Sequence, residues 1–403
     1  MPIRADRTLV TIEAARDILR DAATPIIRTE TLGLVDLGGR VLAETIVAPG
    51  DVPAFSRSAM DGYAVVSEDV ASASVSSPVP IRLVGAVFTG SMPARPVVRG
   101  TCMAIATGAP IPEGADAVAI VERTSRDGDY VLIMEAPARG ANISPQASDL
   151  RAGQVVLEPG AWLTPSRVAS LAATGRAEAL MFARPRVAIV VTGTEVASAG
   201  QRLEPGQVHD VNSASLAATV REHGGEPIVG PVVPDDLSAI RTAFTKALEA
   251  DLVLISGGSS VGERDYVLDI IAERGEIRFA GIAVKPGKPT IFAVIDGRPV
   301  FGMPGNPTSC LSNAYLLVAP MLRRIARLPP AIERSVAARL ATRITSPRGR
   351  HQFYTVRVSD GVAYPAFKSS GDITSMANAD GYVEIPGDVE SVEAGTTVEV
   401  KLF

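Results

Sequence analysis

The spacing of apolar and polar positions changes along the chain, and the changes mark its architecture. Thr11 to Leu19 has apolar residues at helical spacing behind a threonine suited to capping, which predicts a helix starting at Thr11. Leu37 to Glu44 reads as a second short helix, broken by Pro49, Asp51 and Pro53. From Phe55 to about Ala141 the apolar runs are short and bounded by Gly, Pro and Asp: Val84–Val87, Cys102–Ala106, Ala117–Val121 and Tyr130–Met134. They read as strands of a small β lobe, with a Ser-rich loop at 71–79. One helix is expected over 164–180, where Thr164 precedes Pro165 in the first helical position. Beyond Arg184-Pro185-Arg186, strands (Val187–Val191, Pro227–Val233, Leu252–Ile255) alternate with helices (Ser213–His223, Leu237–Leu248, Tyr266–Glu273). That alternation predicts a parallel α/β sheet, whose ligands bind beyond the carboxyl ends of the strands. Asn306-Pro307 reads as an N-cap and first-turn proline opening a long helix through Arg327. After Pro329-Pro330, short β-rich segments at 333–344, 353–358, 362–367, 382–386 and 397–403 form a C-terminal β domain.

Composition narrows the chemistry. A chain of 403 residues is long enough for two to four domains, and 46% hydrophobic content supplies ordinary cores built from aliphatic residues, since aromatics are only 4%. A net charge of −5 argues against a general nucleic-acid binder or a basic membrane-surface protein. Two distant cysteines, Cys102 and Cys310, offer neither a disulfide framework nor a thiolate zinc cluster. The three histidines (His209, His223, His351) fall in no metal-binding pattern. A metal used here is therefore a hard cation on oxygen ligands, Mg²⁺ first. The N-terminal residues show no signal-peptide core, and no apolar run reaches ~18 residues, so a cytoplasmic protein is expected.

Two glycine-rich elbows carry most of the functional signal. Ser256-Gly257-Gly258-Ser259-Ser260-Val261-Gly262-Glu263-Arg264-Asp265 follows one apolar run, and Gly302-Met303-Pro304-Gly305-Asn306-Pro307 follows another. Lys285-Pro286-Gly287-Lys288-Pro289 lies between them. Glycines after a strand expose backbone N–H groups to a ligand, lysines bring positive charge for phosphate, and Glu263 and Asp265 offer metal ligands. Glu195 and Asp265 both follow a glycine at a strand end; Asp235-Asp236 precede a helix, where at least one is expected to cap. Asp61 before Gly62 fits a turn, and Asp149 fits a surface charge, when each is taken alone.

Together these stretches resemble one family, the molybdopterin molybdenumtransferases, which include bacterial MoeA proteins and the E domain of gephyrin. The matching segments are Arg57-Ser58-Ala59-Met60-Asp61-Gly62-Tyr63-Ala64, Ala106-Thr107-Gly108-Ala109-Pro110, Thr192-Gly193-Thr194-Glu195, the 256–266 elbow, Lys285-Pro286-Gly287-Lys288-Pro289 and Pro304-Gly305-Asn306-Pro307. They keep the family's order and spacing over nearly the whole chain. The resemblance implies an α-rich domain made of 1–45 and 142–181, an inserted β lobe at 46–141, an α/β molybdopterin-binding domain at 182–329 and a C-terminal β-barrel-like domain at 330–403. It also implies an elongated homodimer whose site lies between the α/β domain of one subunit and the β lobe of the other. The implied reaction joins molybdate to adenylylated molybdopterin, with Mg²⁺, giving molybdenum cofactor and AMP. Implied partners are a molybdopterin adenylyltransferase and apo-molybdoenzymes.

Carried over by position, the resemblance assigns catalysis to Asp61, Glu195 and Asp265, with Glu195 and Asp265 as metal ligands. Thr107, Asp149, Asp235, Gly257, Gly258, Lys285, Lys288 and Ser370 fall to substrate binding. Four positions depart from the family pattern. Gly281 stands where a cation is usual, Thr355 replaces a common Arg, Asp380 replaces an Asn, and Ser259-Ser260 replaces Val-Ser in the elbow. Two lost cations and one gained anion are expected to lower the positive potential at the site, with Arg264, Arg350 or Lys368 available to compensate. A carrier with reduced catalysis, or an adenylyltransferase, is the alternative expectation.

Overall fold

Val187, Ile189, Leu252 and Leu254 point to one side of a central sheet, and Ala188, Val190, Val253 and Ile255 to the other; all are buried. Both faces are therefore covered, which is why these strands read as continuous apolar runs. In the computed structural model, which describes residues 9–257 and 266–403, the sheet has six strands. Their order is Glu226–Val229, Arg186–Val191, Leu252–Ser256, Arg298–Met303, Ile291–Ile295 and Glu276–Ala280. The first four run parallel. Ile291–Ile295 runs antiparallel to the fourth strand, and Glu276–Ala280 pairs antiparallel with Ile291–Ile295. Asp296-Gly297, both at positive φ, turns Ile291–Ile295 into Arg298–Met303 as a tight hairpin. One face packs on Ile12–Ala22, Asn212–Glu222 and the 307–325 helical stretch; the other packs on Leu237–Ala247 and Tyr266–Arg274.

The chain divides into two compact units. The first comprises residues up to Thr31, Gly39–Val41 and Leu180–Phe403; the second comprises Leu32–Gly38 and Leu42–Ala179. The second contains the β lobe, a six-stranded sheet in the order Ala117–Ile120, Gly62–Val65, Thr101–Ile105, Val79–Val87, Tyr130–Ile133, Thr124–Asp127. Separate apolar clusters cover its two faces, one around Val65, Cys102 and Val131, the other around Ala64, Met103 and Val118.

Several local expectations are corrected. No helix forms over 37–44: Leu34–Asp36 is a single 3₁₀ turn, Gly38-Gly39 turns the chain, and Val41 and Leu42 form isolated bridges. The helix expected over 164–180 spans only Pro165–Ala173, because the Thr174 hydroxyl returns to the Leu171 carbonyl and Gly175 follows; Glu178–Phe182 is a strand. The stretch opened by Asn306-Pro307 is α-helical over Pro307–Asn313 and Ala319–Ile325, with a π turn at Ala314–Val318. Pro320 accounts for the π turn, since its ring lacks an N–H and crowds the Leu316 carbonyl four residues back.

In the C-terminal region, Ser335–Leu340, His351–Ser359, Val362–Pro365, Gly381–Ile385 and Thr397–Leu402 close into a five-stranded barrel. Its interior holds Ala338, Leu340, Val356, Ala363, Val383, Ile385 and Val400. The Val284–Lys285 strand joins the outer edge of this barrel, with Lys285 opposite Gln352. No helix among the described residues is long and apolar enough to cross a membrane.

Glu384 ties the barrel to the N-terminal helix. It meets His351 Nε2 at 2.7 Å, Lys401 Nζ at 3.0 Å and Arg16 at 3.5 Å. Burial alone would raise its carboxyl, but the His351 and Lys401 hydrogen bonds and nearby Arg16 outweigh that and bring it to about 2. A depressed carboxylate stabilises the fold above its unfolded value near 4.5 and loses that contribution as pH falls toward 2. The span corresponds to roughly 3 kcal/mol. In Glu384→Gln, urea denaturation should show lower stability at pH 7 and a flatter loss of stability between pH 5 and pH 3. An acid limb as steep as the wild type's would contradict this role for Glu384.

Candidate functional site

Three chain segments emerge from the carboxyl ends of parallel strands in the first unit: Thr192–Glu195, Ser256-Gly257 and Pro304–Asn306. They meet through backbone and short side chains. Gly257 has φ +99°, and a Cβ there would lie 2.1 Å from the Thr192 carbonyl oxygen, so only glycine fits. A Cβ on Gly305 would lie 3.7 Å from Gly257 Cα, an ordinary contact distance, so the two elbows lie side by side. Thr192 N–H donates to Ser256 O at 2.8 Å. Asn212 Nδ2 donates to Ser256 Oγ and to Gly305 O, each at 2.8 Å. The Asn212 role was missed from sequence; its only signal is an amide residue at the start of the helix after the first loop.

The acids divide by role. Asp236 caps the Leu237–Ala247 helix through Ala239 N–H at 2.8 Å, as expected for one of the pair. Asp235 is turned instead to the first loop: Thr194 N–H donates to Asp235 Oδ2 at 3.2 Å, and Asp235 N–H donates to Thr194 Oγ1 at 3.3 Å. Glu195 is exposed, and its carboxylate folds back to 2.8 Å from where a Cβ on Gly193 would stand. Gly258, Glu263, Arg264 and Asp265 lie outside the described residues, as do Ser259-Ser260. Among the described residues no three His, Cys, Asp or Glu side chains gather for a metal. Glu195 and the Thr194–Asp235 pair bring only oxygen donors to the first loop, the donor chemistry that a hard cation such as Mg²⁺ takes.

The lysine loop is anchored from beneath. Asn313 Nδ2 donates to Gly287 O at 2.8 Å and to Thr290 Oγ1 at 2.6 Å. Lys285 is half-buried and Lys288 exposed. Asn306 occupies the N-cap position, yet its side chain makes no cap bond; Nδ2 donates to Ser370 Oγ at 3.0 Å. The Ser370 carbonyl takes over the capping by accepting Thr308 N–H at 3.1 Å. Ser370 is thus joined to the second elbow. Cys310 lies below, its sulfur 3.9 Å from Ser256 Oγ. Burial pushes the Cys310 and Cys102 thiols up to about 12, which removes both as nucleophiles near neutral pH.

In the second unit, Asp61 and Thr107 are brought together. Thr107 N–H donates to Asp61 Oδ1 at 2.7 Å and its hydroxyl donates at 3.0 Å. The backbone bond, then the hydroxyl bond, holds the exposed Asp61 carboxyl below its usual range, so it is ionised at neutral pH. Asp149 stands exposed beside the Val52–Leu150 bridge, in the same unit.

The departures have structural explanations. Gly281 sits at φ +124° with its N–H on Thr290 O, its carbonyl accepting from Val10 N–H, and a would-be Cβ 2.8 Å from Leu9. Thr355 is fully buried, on the strand face shared with Phe353, where an arginine would bury its charge. The Asp380 carboxylate accepts Val358 N–H at 2.7 Å. Buried Thr355 and backbone-bound Asp380 are thus accounted for by local structure.

Residues 10–175 match the MoeA N-terminal region (domain I and II), 188–324 a probable molybdopterin binding domain, and 337–403 the MoeA C-terminal region (domain IV). The chain is 35% identical over 384 residues to molybdopterin molybdenumtransferase 2 of Mycobacterium tuberculosis, covering 93% of this chain and 95% of that one. It is 31% identical over 404 residues to the molybdopterin molybdenumtransferase of Haemophilus influenzae, covering 98% and 99%. Among solved structures, a molybdopterin biosynthesis MoeA protein from Pyrococcus horikoshii superposes with a TM-score of 0.84 at 33% identity, covering 98% and 100%.

The Gly281 geometry has a direct test. Gly281→Lys places a side chain at a positive φ against Leu9 and should lower stability by about 1–3 kcal/mol. Thermal unfolding checks this; an unchanged or raised melting temperature would show that a cation is tolerated there.

Proposed function

Since the chain belongs to the MoeA family of molybdopterin molybdenumtransferases, we propose that it inserts molybdate into adenylylated molybdopterin and releases AMP, with Mg²⁺ as activating cation. It is a transferase of molybdenum cofactor biosynthesis. The observation that carries the finer reading is the meeting of Gly257 and Gly305 at adjacent strand ends. Glycines at two neighbouring strand ends suit a pyrophosphate-type linkage, which is recognised by backbone N–H donors.

The residues divide the work. The elbows hold the linkage, and Lys285 and Lys288 bring positive charge to its phosphates. Glu195 and Asp265 would hold Mg²⁺, with Asp235 orienting the Thr194 backbone beside Glu195. Bound there, Mg²⁺ supplies charge stabilisation to the departing AMP phosphate. Asp61, ionised and fixed by Thr107, holds a proton-accepting oxygen for the metal-oxyanion end of the substrate. We place Asp61 in the site from the partner subunit of a homodimer, with Asp149 and Ser370 as further substrate contacts. The finished cofactor would pass to apo-molybdoenzymes, and the adenylylated substrate would come from a molybdopterin adenylyltransferase.

The test is reconstitution. Purified protein with adenylylated molybdopterin, Mg²⁺ and molybdate should release AMP and activate an apo-molybdoenzyme. Tight pterin binding with neither AMP release nor activation would contradict insertion and favour a carrier. In the same assay Asp61→Asn should lose at least about tenfold in turnover while keeping the wild-type melting temperature, since Asp61 is exposed. Full turnover would remove Asp61 from the mechanism.

A further inference from the structure

Asn212 is 6% exposed and stands at the first position of the Asn212–Glu222 helix. It is not needed to start that helix, because the Asp210 carboxylate already accepts Ser213 N–H at 3.0 Å. Its side chain turns instead toward the ends of the parallel strands. The orientation of the amide is fixed by chemistry. Gly305 O has no hydrogen to give, so Nδ2 must face it, and the second hydrogen of the same nitrogen reaches Ser256 Oγ. Ser256 Oγ keeps its own hydrogen for Pro304 O at 3.3 Å. Ser256 O in turn accepts Thr192 N–H at 2.8 Å. One amide therefore joins the second and third segments, and through Ser256 the first.

This arrangement carries a cost. Asn212 Oδ1 is buried with no hydrogen-bond partner among the described residues. An acceptor left in that state is unfavourable, and a structural helix start would be better served by a residue without it. What the amide provides is two donors on one uncharged atom. A serine would bridge only one acceptor, and an aspartate would offer none in its ionised form.

We infer that Asn212 is a positioning residue for the transfer reaction, fixing the Gly257 and Gly305 elbows in register so that their backbone donors converge on one substrate phosphate. The inference rests on the function proposed above. It places the control of backbone convergence beneath the site, in a side chain that does not touch substrate. Loss of the amide should leave the fold and the elbow sequences intact but let the two loops move independently, which weakens a donor set that works only when preorganised.

The experiment compares wild type with Asn212→Asp, nearly the same size but lacking the amide donors, and with Ser256→Ala, which severs one arm and keeps the Gly305 bond. Hydrogen exchange on the ligand-free full chain should be faster in Asn212→Asp over 252–257 and 302–306, and unchanged over the C-terminal barrel. Turnover of adenylylated molybdopterin should fall by about tenfold or more in kcat/KM, with Ser256→Ala intermediate. Unchanged exchange at both elbows overturns the staple. Faster exchange with wild-type kcat/KM overturns the positioning role. A wild type inactive on the adenylylated substrate defeats the proposed reaction instead, and the exchange result still decides whether Asn212 holds the elbows. If Asn212→Asp fails to fold, Ser256→Ala decides: faster exchange at 252–257 with reduced kcat/KM supports the inference, and no change in either overturns it.

Discussion

The 2.1 Å separation between the Thr192 carbonyl oxygen and the place where a Cβ on Gly257 would stand is the constraint from which the site follows. No side chain fits there, so the second strand's loop lies directly on the first strand's loop. Gly305 adjoins Gly257, so two strand ends meet at glycines, while Thr194 and Glu195 are exposed at the third. Under the proposed function these glycines serve a ligand that hydrogen-bonds to N–H groups, the chemistry of a phosphate ester. The parallel sheet makes the arrangement possible because its strands end at one edge, and helices on both faces bury the strands that carry the loops.

Around this centre the structure places groups in layers. Asn212 and Asn313 anchor the elbow loops and the lysine loop from below. Among the described residues both keep a buried, unpaired side-chain oxygen, so loop placement prevails over local hydrogen-bond completeness at two positions. Ser370, reaching from the C-terminal region, completes the second elbow through Asn306 and Thr308. The barrel is thus part of the site's support as well as a separate core, and the Glu384 cluster binds it to the N-terminal helix.

The sequence was most legible where one physical signal dominated. Alternating strands and helices over 187–274 gave the parallel sheet, and the glycine-rich loops marked the carboxyl ends of its strands. Legibility failed where a few local bonds decided the outcome. Apolar spacing over 37–44 suggests a helix, but Gly38-Gly39 turns the chain. Pro320 was invisible within a long apolar helix until its π turn was seen. The same limit applied to the departures from the family pattern. Thr355 and Asp380 read as altered potential; the structure adds that one is buried and the other holds a backbone N–H, which no sequence pattern shows. Asn212 and Asn313 carried no pattern, because a single amide earns its role only through contacts between segments distant in sequence.

If the backbone-only contact at the strand ends is the substrate cradle, a single methyl group there should disable it. The most direct measurement is the affinity of Gly257→Ala for adenylylated molybdopterin, by titration calorimetry, beside its far-ultraviolet circular dichroism. Binding weakened by at least about tenfold with the secondary structure retained is the expected result. Wild-type affinity in a folded Gly257→Ala protein would show that the substrate is held elsewhere.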